Sequence, residues 1–351
     1  NPSIPNDVKC VSLEHKLGIH ASPTCVMSFG DEGNCTGYLV GEENRGMRNM
    51  FTMMNHARVG VGLQGVSMAE RAYQDAVAYA KERVQGPAAG NDSTEAATII
   101  HHPDVRRMLM TMRANTEASR ALVYLNAWAL DRAHHAGTEE ERTKANGEAD
   151  LLTPMSKAFA TDIGVSVSSL GIQVFGGMGF IEETGVAQHY RDARIAPIYE
   201  GTNGIQAMDL VGRKLMMAGG SVWRTLLDEM DASLAEISTV GGLAATASAL
   251  LAASKEVRRC SEHLYSLGGA EHVDVASACV PYLTLFAGTL SGWLLARQAA
   301  RAAAMLSSGE GSAVFLQAKQ ATAVFYAEQL LPTYVAQGAA VMAGSKSVMA
   351  I

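Results

Sequence analysis

The chain has 351 residues, 48% hydrophobic and 18% charged, which supplies one large core or two smaller ones and excludes an intrinsically disordered chain. Eighteen Met against only 6% aromatic residues favour packed helices over a β-sandwich. A net charge of −7 offers no basic stripe for nucleic acid, and five cysteines without a CxxC pair fit reduced thiols in a cytoplasmic protein.

The first forty residues differ from the rest. Segments 8–14, 26–29 and 35–40 read as short strands, the last two joined by the turn cluster Asp31–Asn34, and their Val, Leu and Tyr content calls for something to cover the sheet edges. From Gly46 the pattern turns helical. Long helices are expected at 47–83, 104–136 and 148–175, then a shorter one at 202–217, which together describe a bundle of long rods. Ala218–Gly220 reads as a linker to a second helical block, with helices beginning near Trp223 and then over 243–267, 275–307 and 312–342. The uncharged stretch Val275–Ala296, with Gly288 and Gly292 at small-xxx-small spacing, has the length of a membrane span. Its Pro, Ser and Thr content and the strongly helical continuation past Arg297 favour a buried bundle helix, so no membrane span is expected.

Three motifs are weighed against plainer readings. Gly60–Gly65 matches GxGxxG, yet no buried strand precedes it and the helical period runs through it, so the glycines are read as contact points between long helices. His101-His102 and His134-His135 lack an acidic or cysteine cluster at ligand spacing, so no metal is expected. Glu182-Glu183 is read as a solvated turn.

Gly171–Gln206 is different in kind. A glycine-rich helix end at Gly176, Gly177 and Gly179 is followed by Tyr190–Arg194 and then by Ile198–Gln206, where Glu200 and Gly201 immediately precede a helix start capped by Thr202. Backbone that approaches a ligand closely favours glycine. The residues alone leave two readings open, a ligand loop carrying one carboxylate or a flexible connection with a surface Glu.

Gln173–Phe180, Arg191–Arg194 and Ile198–Thr202, in this order and spacing, resemble the C-terminal signature of the acyl-CoA dehydrogenases. Glu14–Thr24 and Gly37–Gly46 are similar to the close of that family's middle β-domain and the step into its helices. The resemblance implies a mainly α fold with residues 1–42 as the end of the β-domain, 43–217 as a four-helix FAD and acyl-CoA domain, and 221–351 as a C-terminal helical extension. By the same resemblance Glu200 is the base that removes the α-proton while a hydride leaves the β-carbon for flavin. It also assigns Arg83, Gln173, Gly176, Gly177, Thr202 and Gly204 to FAD, and Arg58, Asn55, Tyr199 and Gly201 to the substrate side. Gln173, Gly176 and Gly177 match backbone that receives a neighbouring subunit's adenosine, and Arg83 the arginine reaching across the dimer. The usual Phe-Gly after that arginine is replaced by Val84-Gln-Gly. A homodimer or homotetramer passing electrons to an electron-transfer flavoprotein is implied, with an acyl-CoA oxidase or a non-catalytic scaffold as alternatives. The chain is expected to begin partway through the β-domain and to be too short to hold FAD alone.

Overall fold

The computed structural model describes residues 5–90, 94–269 and 271–351, and its contacts divide the chain into two units, 1–57 and 58–351. In the first unit, β1 (Val8–Leu13) pairs antiparallel with β2 (Cys25–Phe29), with an irregularity between Cys10 and Ser12. The expected third strand over 35–40 does not form. The Asn6 carboxamide instead takes both backbone groups of Thr36, donating to its oxygen at 3.0 Å and accepting from its nitrogen at 2.9 Å. This satisfies both backbone groups of one residue without starting a ladder. Val11, Leu13, Phe29 and Tyr38 remain exposed.

The helices begin with α1 (Gly46–Glu82) and α2 (Pro103–His135), each within one residue of expectation. The third, α3 (Glu139–Phe175), starts nine residues earlier than expected. A capping box sets that start: Glu141 N donates to Thr138 Oγ1 at 3.2 Å and Thr138 N donates to Glu141 Oε2 at 3.0 Å. Glu139, Glu140 and Glu141 in the first turn add favourable charge at the helix N-terminus. Two short helices, α4 (Val186–Ala193) and α5 (Asn203–Asp209), follow. The expected 202–217 helix thus ends early, because the chain widens into a π-type turn at Leu210–Lys214 closed by Leu215 N to Leu210 O at 2.8 Å.

Ala218, Gly219 and Gly220 take left-handed backbone, with φ of 48°, 66° and 81°, and lead into α6 (Ser221–Ile237), α7 (Ala244–Ser266) and α8 (Val273–Ser308). The last expected helix is broken into α9 (Ala313–Phe325), α10 (Leu331–Val335) and α11 (Gln337–Met342). Its break precedes Pro332, whose missing N–H cannot continue an α-helical ladder. One buried cluster runs from Ala69 on α1 through Met112, Leu122, Leu151 and Met155 to Trp223, Leu250, Phe286 and Tyr326. Residues on both sides of Ala218–Gly220 therefore share a core, and the Trp223 indole donates to Leu215 O at 3.1 Å across that turn.

By length and composition α3 and α8 could each cross a membrane. In the bundle, however, the apolar run of α8 is buried, and its two spaced glycines leave room for aromatic rings, Gly288 for Tyr334 and Gly292 for Tyr326.

The GxGxxG stretch behaves as the helical reading expects. A Cβ on Gly62 would stand 3.0 Å from Ser156 O, one on Gly65 would overlap the Ala160 carbonyl, and one on Gly164 would lie 2.8 Å from Gly65 O. Further along, Ala72 lies against Gly171 and the Tyr79 ring stacks on Phe175 at 4.1 Å. Residue numbers rise together on both helices, so α1 and α3 run parallel, their N-terminal halves at one end and Arg83 with Gly176 at the other. Opposite them α2 is antiparallel, joined by Arg120 to Glu70 on α1 at 2.5 Å and by Asn126 to Ser156 on α3 at 2.8 Å.

Candidate functional site

Between α4 and α5 the chain folds back through a series of short turns, with Ile198 N and Tyr199 N both donating to Ile195 O and Asn203 N donating to Pro197 O at 2.9 Å. To complete that reversal Glu200 and Gly201 adopt φ of 57° and 83°. Glycine takes this backbone freely, but a residue with a Cβ does so at a cost of roughly 1–2 kcal/mol. At Gly201 the space is also closed, since a Cβ there would sit 2.8 Å from Gln206 Nε2. The turn then delivers Thr202 as the N-cap of α5, its hydroxyl accepting from Ile205 N at 3.3 Å.

Buried side chains hold this turn. Arg58 on α1, 6% exposed, points its Nε at the Glu200 carbonyl at 3.4 Å. The Gln206 carboxamide donates to the carbonyls of Glu200 and Gly201 at 3.4 and 3.2 Å. Lys157 on α3, fully buried, donates to Gly201 O at 2.9 Å and to Asn203 Oδ1 at 2.8 Å. Asn203 in turn donates to Ala158 O, Thr161 Oγ1 and Asp162 Oδ1. Tyr199 bonds Gln64 on α1 through its hydroxyl.

These contacts shift the ionisable groups in a consistent way. Burial lowers the Lys157 ammonium to about 8, with Arg58 acting in the same direction and Asp162 and Glu200 opposing it. Burial raises the Asp162 carboxyl, against the Asn203 hydrogen bond and the nearby Lys157 and Arg194 charges. Burial also raises the Tyr199 phenol, and the Glu200 charge adds to the effect. Isolated buried charges are expensive; here Lys157 is offset by a carbonyl and a carboxamide as well as by two carboxylates. The Glu200 side chain itself is half-buried. The Gln206 Oε1 atom is buried and lacks a partner among the described residues.

Of the residues singled out by sequence, the structure therefore brings Arg58, Tyr199, Glu200, Gly201, Thr202 and Gly204 together. Asn55 lies one turn before Arg58 on α1, but its side chain falls outside the described residues. The remaining set lies at the opposite end of the α1 and α3 pair. Gln173 and Gly177 are exposed, and Gly176 is exposed with φ of 60°. A Cβ on either glycine would meet nothing within 4 Å. Arg83 closes α1 with an exposed side chain, its carbonyl accepting from Ile99 N at 2.8 Å. The segment after Arg83 is pinned by Gln85 N to Ala97 O at 3.0 Å and Ala97 N to Gly86 O at 2.8 Å. Counted along α3 from Lys157 to Gly176, the two ends are about 28 Å apart at 1.5 Å per residue.

The sequence reading missed Lys157, Asn203, Gln206 and Gln64. A signal for Lys157 was present: it is a lone cation in the otherwise uncharged run Leu151–Thr161, which is apolar enough to be buried all round and so demands a partner for any charge it carries. Among the described residues no three or more His, Cys, Asp or Glu side chains gather as a metal site. Glu182 is solvent-facing and pairs with Arg191 at 3.2 Å, and His102 bonds Gln85 O at 2.8 Å.

Comparison with known proteins bears on this arrangement. Residues 44–216 match the family model described as acyl-CoA dehydrogenase, C-terminal domain, and residues 226–351 match one described as acetyl-CoA dehydrogenase C-terminal like. The 3-methylmercaptopropionyl-CoA dehydrogenase of Ruegeria pomeroyi is 49% identical over 327 residues, covering 93% of this chain and 55% of that protein. An acyl-CoA dehydrogenase from Bacillus anthracis, solved in complex with FAD, superposes with a TM-score of 0.70 at 23% identity over 95% of this chain and 56% of that one. Caenorhabditis elegans ACDH-11, solved with C11-CoA, superposes with a TM-score of 0.76 at 22% identity over 92% of this chain and 50% of that one. At these identities the two structures speak to the fold alone. The chain spans about half the length of the relatives it matches.

Proposed function

The chain belongs to the acyl-CoA dehydrogenase family, and from that premise we propose that it carries the catalytic base of an FAD-dependent enzyme oxidising acyl-CoA thioesters to trans-2-enoyl-CoA. The observation that carries this reading is the Glu200 turn. A carboxylate stands on strained backbone, and buried groups from α1, α3 and α5 fix that backbone from behind.

The α-proton of a thioester is much less acidic than a carboxylic acid, so the base needs a fixed approach and help for the developing enolate oxygen. FAD, when bound, supplies the acceptor for the hydride that leaves the β-carbon. Glu200 takes the α-proton on its carboxylate, and its backbone amide is the donor that the family resemblance assigns to the thioester oxygen. Arg58, Gln206 and Lys157 make no proton transfer in this scheme. They hold the Glu200 and Gly201 carbonyls, and so limit the directions in which the Glu200 side chain can leave the backbone.

The residues present fit FAD at both ends of the helix pair. Thr202 uses its hydroxyl oxygen as a cap acceptor, which leaves the hydroxyl proton for a ligand, and Gln206 Oε1 is a buried acceptor without a donor among the described residues. At the other end Gly176 and Gly177 present uncovered backbone. Since about 28 Å of α3 separates the two, we assign Thr202 and Gly204 to the chain's own flavin, and Gln173, Gly176, Gly177 and Arg83 to that of a neighbouring copy. A homodimer or a larger homo-oligomer follows from this assignment. An electron-transfer flavoprotein is the proposed electron acceptor.

The test is Glu200→Gln in the FAD-bound enzyme, assayed with acyl-CoA and an artificial acceptor. Turnover should fall by about 10³-fold or more with the flavin absorption spectrum intact. Retention of a tenth of the activity would place the base elsewhere. Oxygen uptake that equals turnover without any added acceptor would identify an oxidase instead.

A further inference from the structure

We propose that a cleft walled by α2, α3, α6 and α8 binds an elongated apolar carboxylate, of the chemical class of a free fatty acid, at a site separate from the Glu200 turn. The cleft encloses about 1020 Å³, at the upper end of the size range of small-molecule sites. Its walls include Leu125, Trp128, Leu151, Val222 and Leu226, and none of its lining residues belongs to the Glu200 turn or to the side chains that hold it.

The polar groups decide what the occupant must be. Trp293 lines the cleft, is 5% exposed, and its indole N–H has no partner among the described residues. Arg132 Nε, also in the lining, is a second buried donor without a partner. No acceptor atom in the lining is left in that condition among the described residues. An occupant that satisfies the site therefore brings acceptors. Arg297 adds charge: its guanidinium lies over the Trp293 ring at 4.9 Å and forms no ion pair with a described residue.

Five carboxylates also line the cleft, against the three cations Arg132, Lys144 and Arg297, and none of the five lies within 4.0 Å of Arg297. Glu148 pairs with Arg132 and lies 3.9 Å from Lys144, Glu229 lies 3.3 Å from Lys144, and Glu139 pairs with Arg142 at 2.8 Å. Glu140 and Glu236 are solvent-exposed, where water and salt screen them. A carboxylate head meeting Arg297 and the Trp293 N–H, with its chain along the leucine and tryptophan wall, pairs the orphaned donor and buries apolar surface at once.

Calorimetric titration of the 351-residue chain with decanoate, and separately with decanol, tests this. Decanoate should bind saturably with one site per chain, and decanol about tenfold more weakly. Trp293→Phe and Arg297→Gln should each weaken decanoate by about tenfold and leave decanol unchanged. Arg297 is exposed, so its variant does not threaten the fold. Thr225→Trp, at an exposed lining position, should abolish binding of both probes. Absence of saturable decanoate binding, equal affinity for the two probes, undiminished binding by Trp293→Phe and Arg297→Gln, or full binding by Thr225→Trp would each overturn the proposal. None of these outcomes bears on Glu200.

Discussion

The parallel pair α1 and α3 has two contrasting ends. At the Glu200 end, Arg58, Lys157, Asn203 and Gln206 anchor the backbone from within, and Lys157 and Gln206 are fully buried. At the Gly176 end, Gln173, Gly176 and Gly177 are exposed, and a Cβ on either of these two glycines would touch nothing. The first end is a built machine part, its turn fixed by this chain's own residues. The second is an exposed surface, which we assign to the flavin of a neighbouring copy. The glycines reflect the same division. Gly62, Gly65 and Gly201 exist because something stands where a Cβ would go, whereas Gly176 and Gly177 keep space open.

Perturbing each end in turn tests that contrast. The largest effect is the one already set out for Glu200→Gln, which should remove turnover and leave flavin in place. Next is Lys157→Met, which keeps length and removes the donor to Gly201 O. In the FAD-bound enzyme kcat should fall by about 10- to 100-fold with a smaller change in KM, because the turn that carries Glu200 is misplaced while Lys157 itself is placed behind it. Loss of KM alone would show that Lys157 serves substrate binding, and the two ends would then differ less than described.

The outward end should respond in the opposite sense. Gly177→Leu adds a side chain in open space, so the unfolding midpoint of the isolated chain should not move, while flavin retention in the assembled enzyme weakens by about tenfold. A drop in the isolated chain's stability would mean that this end is packed after all.

The smallest effect is one of pH. Lys157 has its ammonium lowered by burial from an ordinary 10.5 to about 8. Between those values the unfolded chain still holds a proton that the folded chain has released. The unfolded state then binds more protons, and stability rises with pH across that window. Denaturation midpoints measured from pH 8 to 10.5 should climb in the parent relative to Lys157→Met, and parallel curves would remove Lys157 as the source.

Periodicity located α2, whose Met108, Met112, Leu122 and Ala129 fall at helical spacing, and the helix-stopping stretch Gln85–Gly90 marked the end of α1. It missed the first nine residues of α3, where a charged stretch hides a helix that is started by a capping box. The strand expected at 35–40 had the right composition, but the Asn6 carboxamide occupies Thr36, and composition cannot reveal that substitution. Glu200 and its neighbours were legible through resemblance, since their order along the chain is the signature itself. The side chains holding them were not, because Lys157 and Asn203 are 46 positions apart and become partners only once α3 and α5 pack.

Glu200 sits where folding by itself prefers glycine, with φ of 57°. A laboratory selection for heat resistance, blind to chemistry, would drift toward replacing this residue, since relief of backbone strain rewards the very change that removes the carboxylate. Any stabilised form of the protein obtained by such a route needs its residue 200 checked before its activity is trusted.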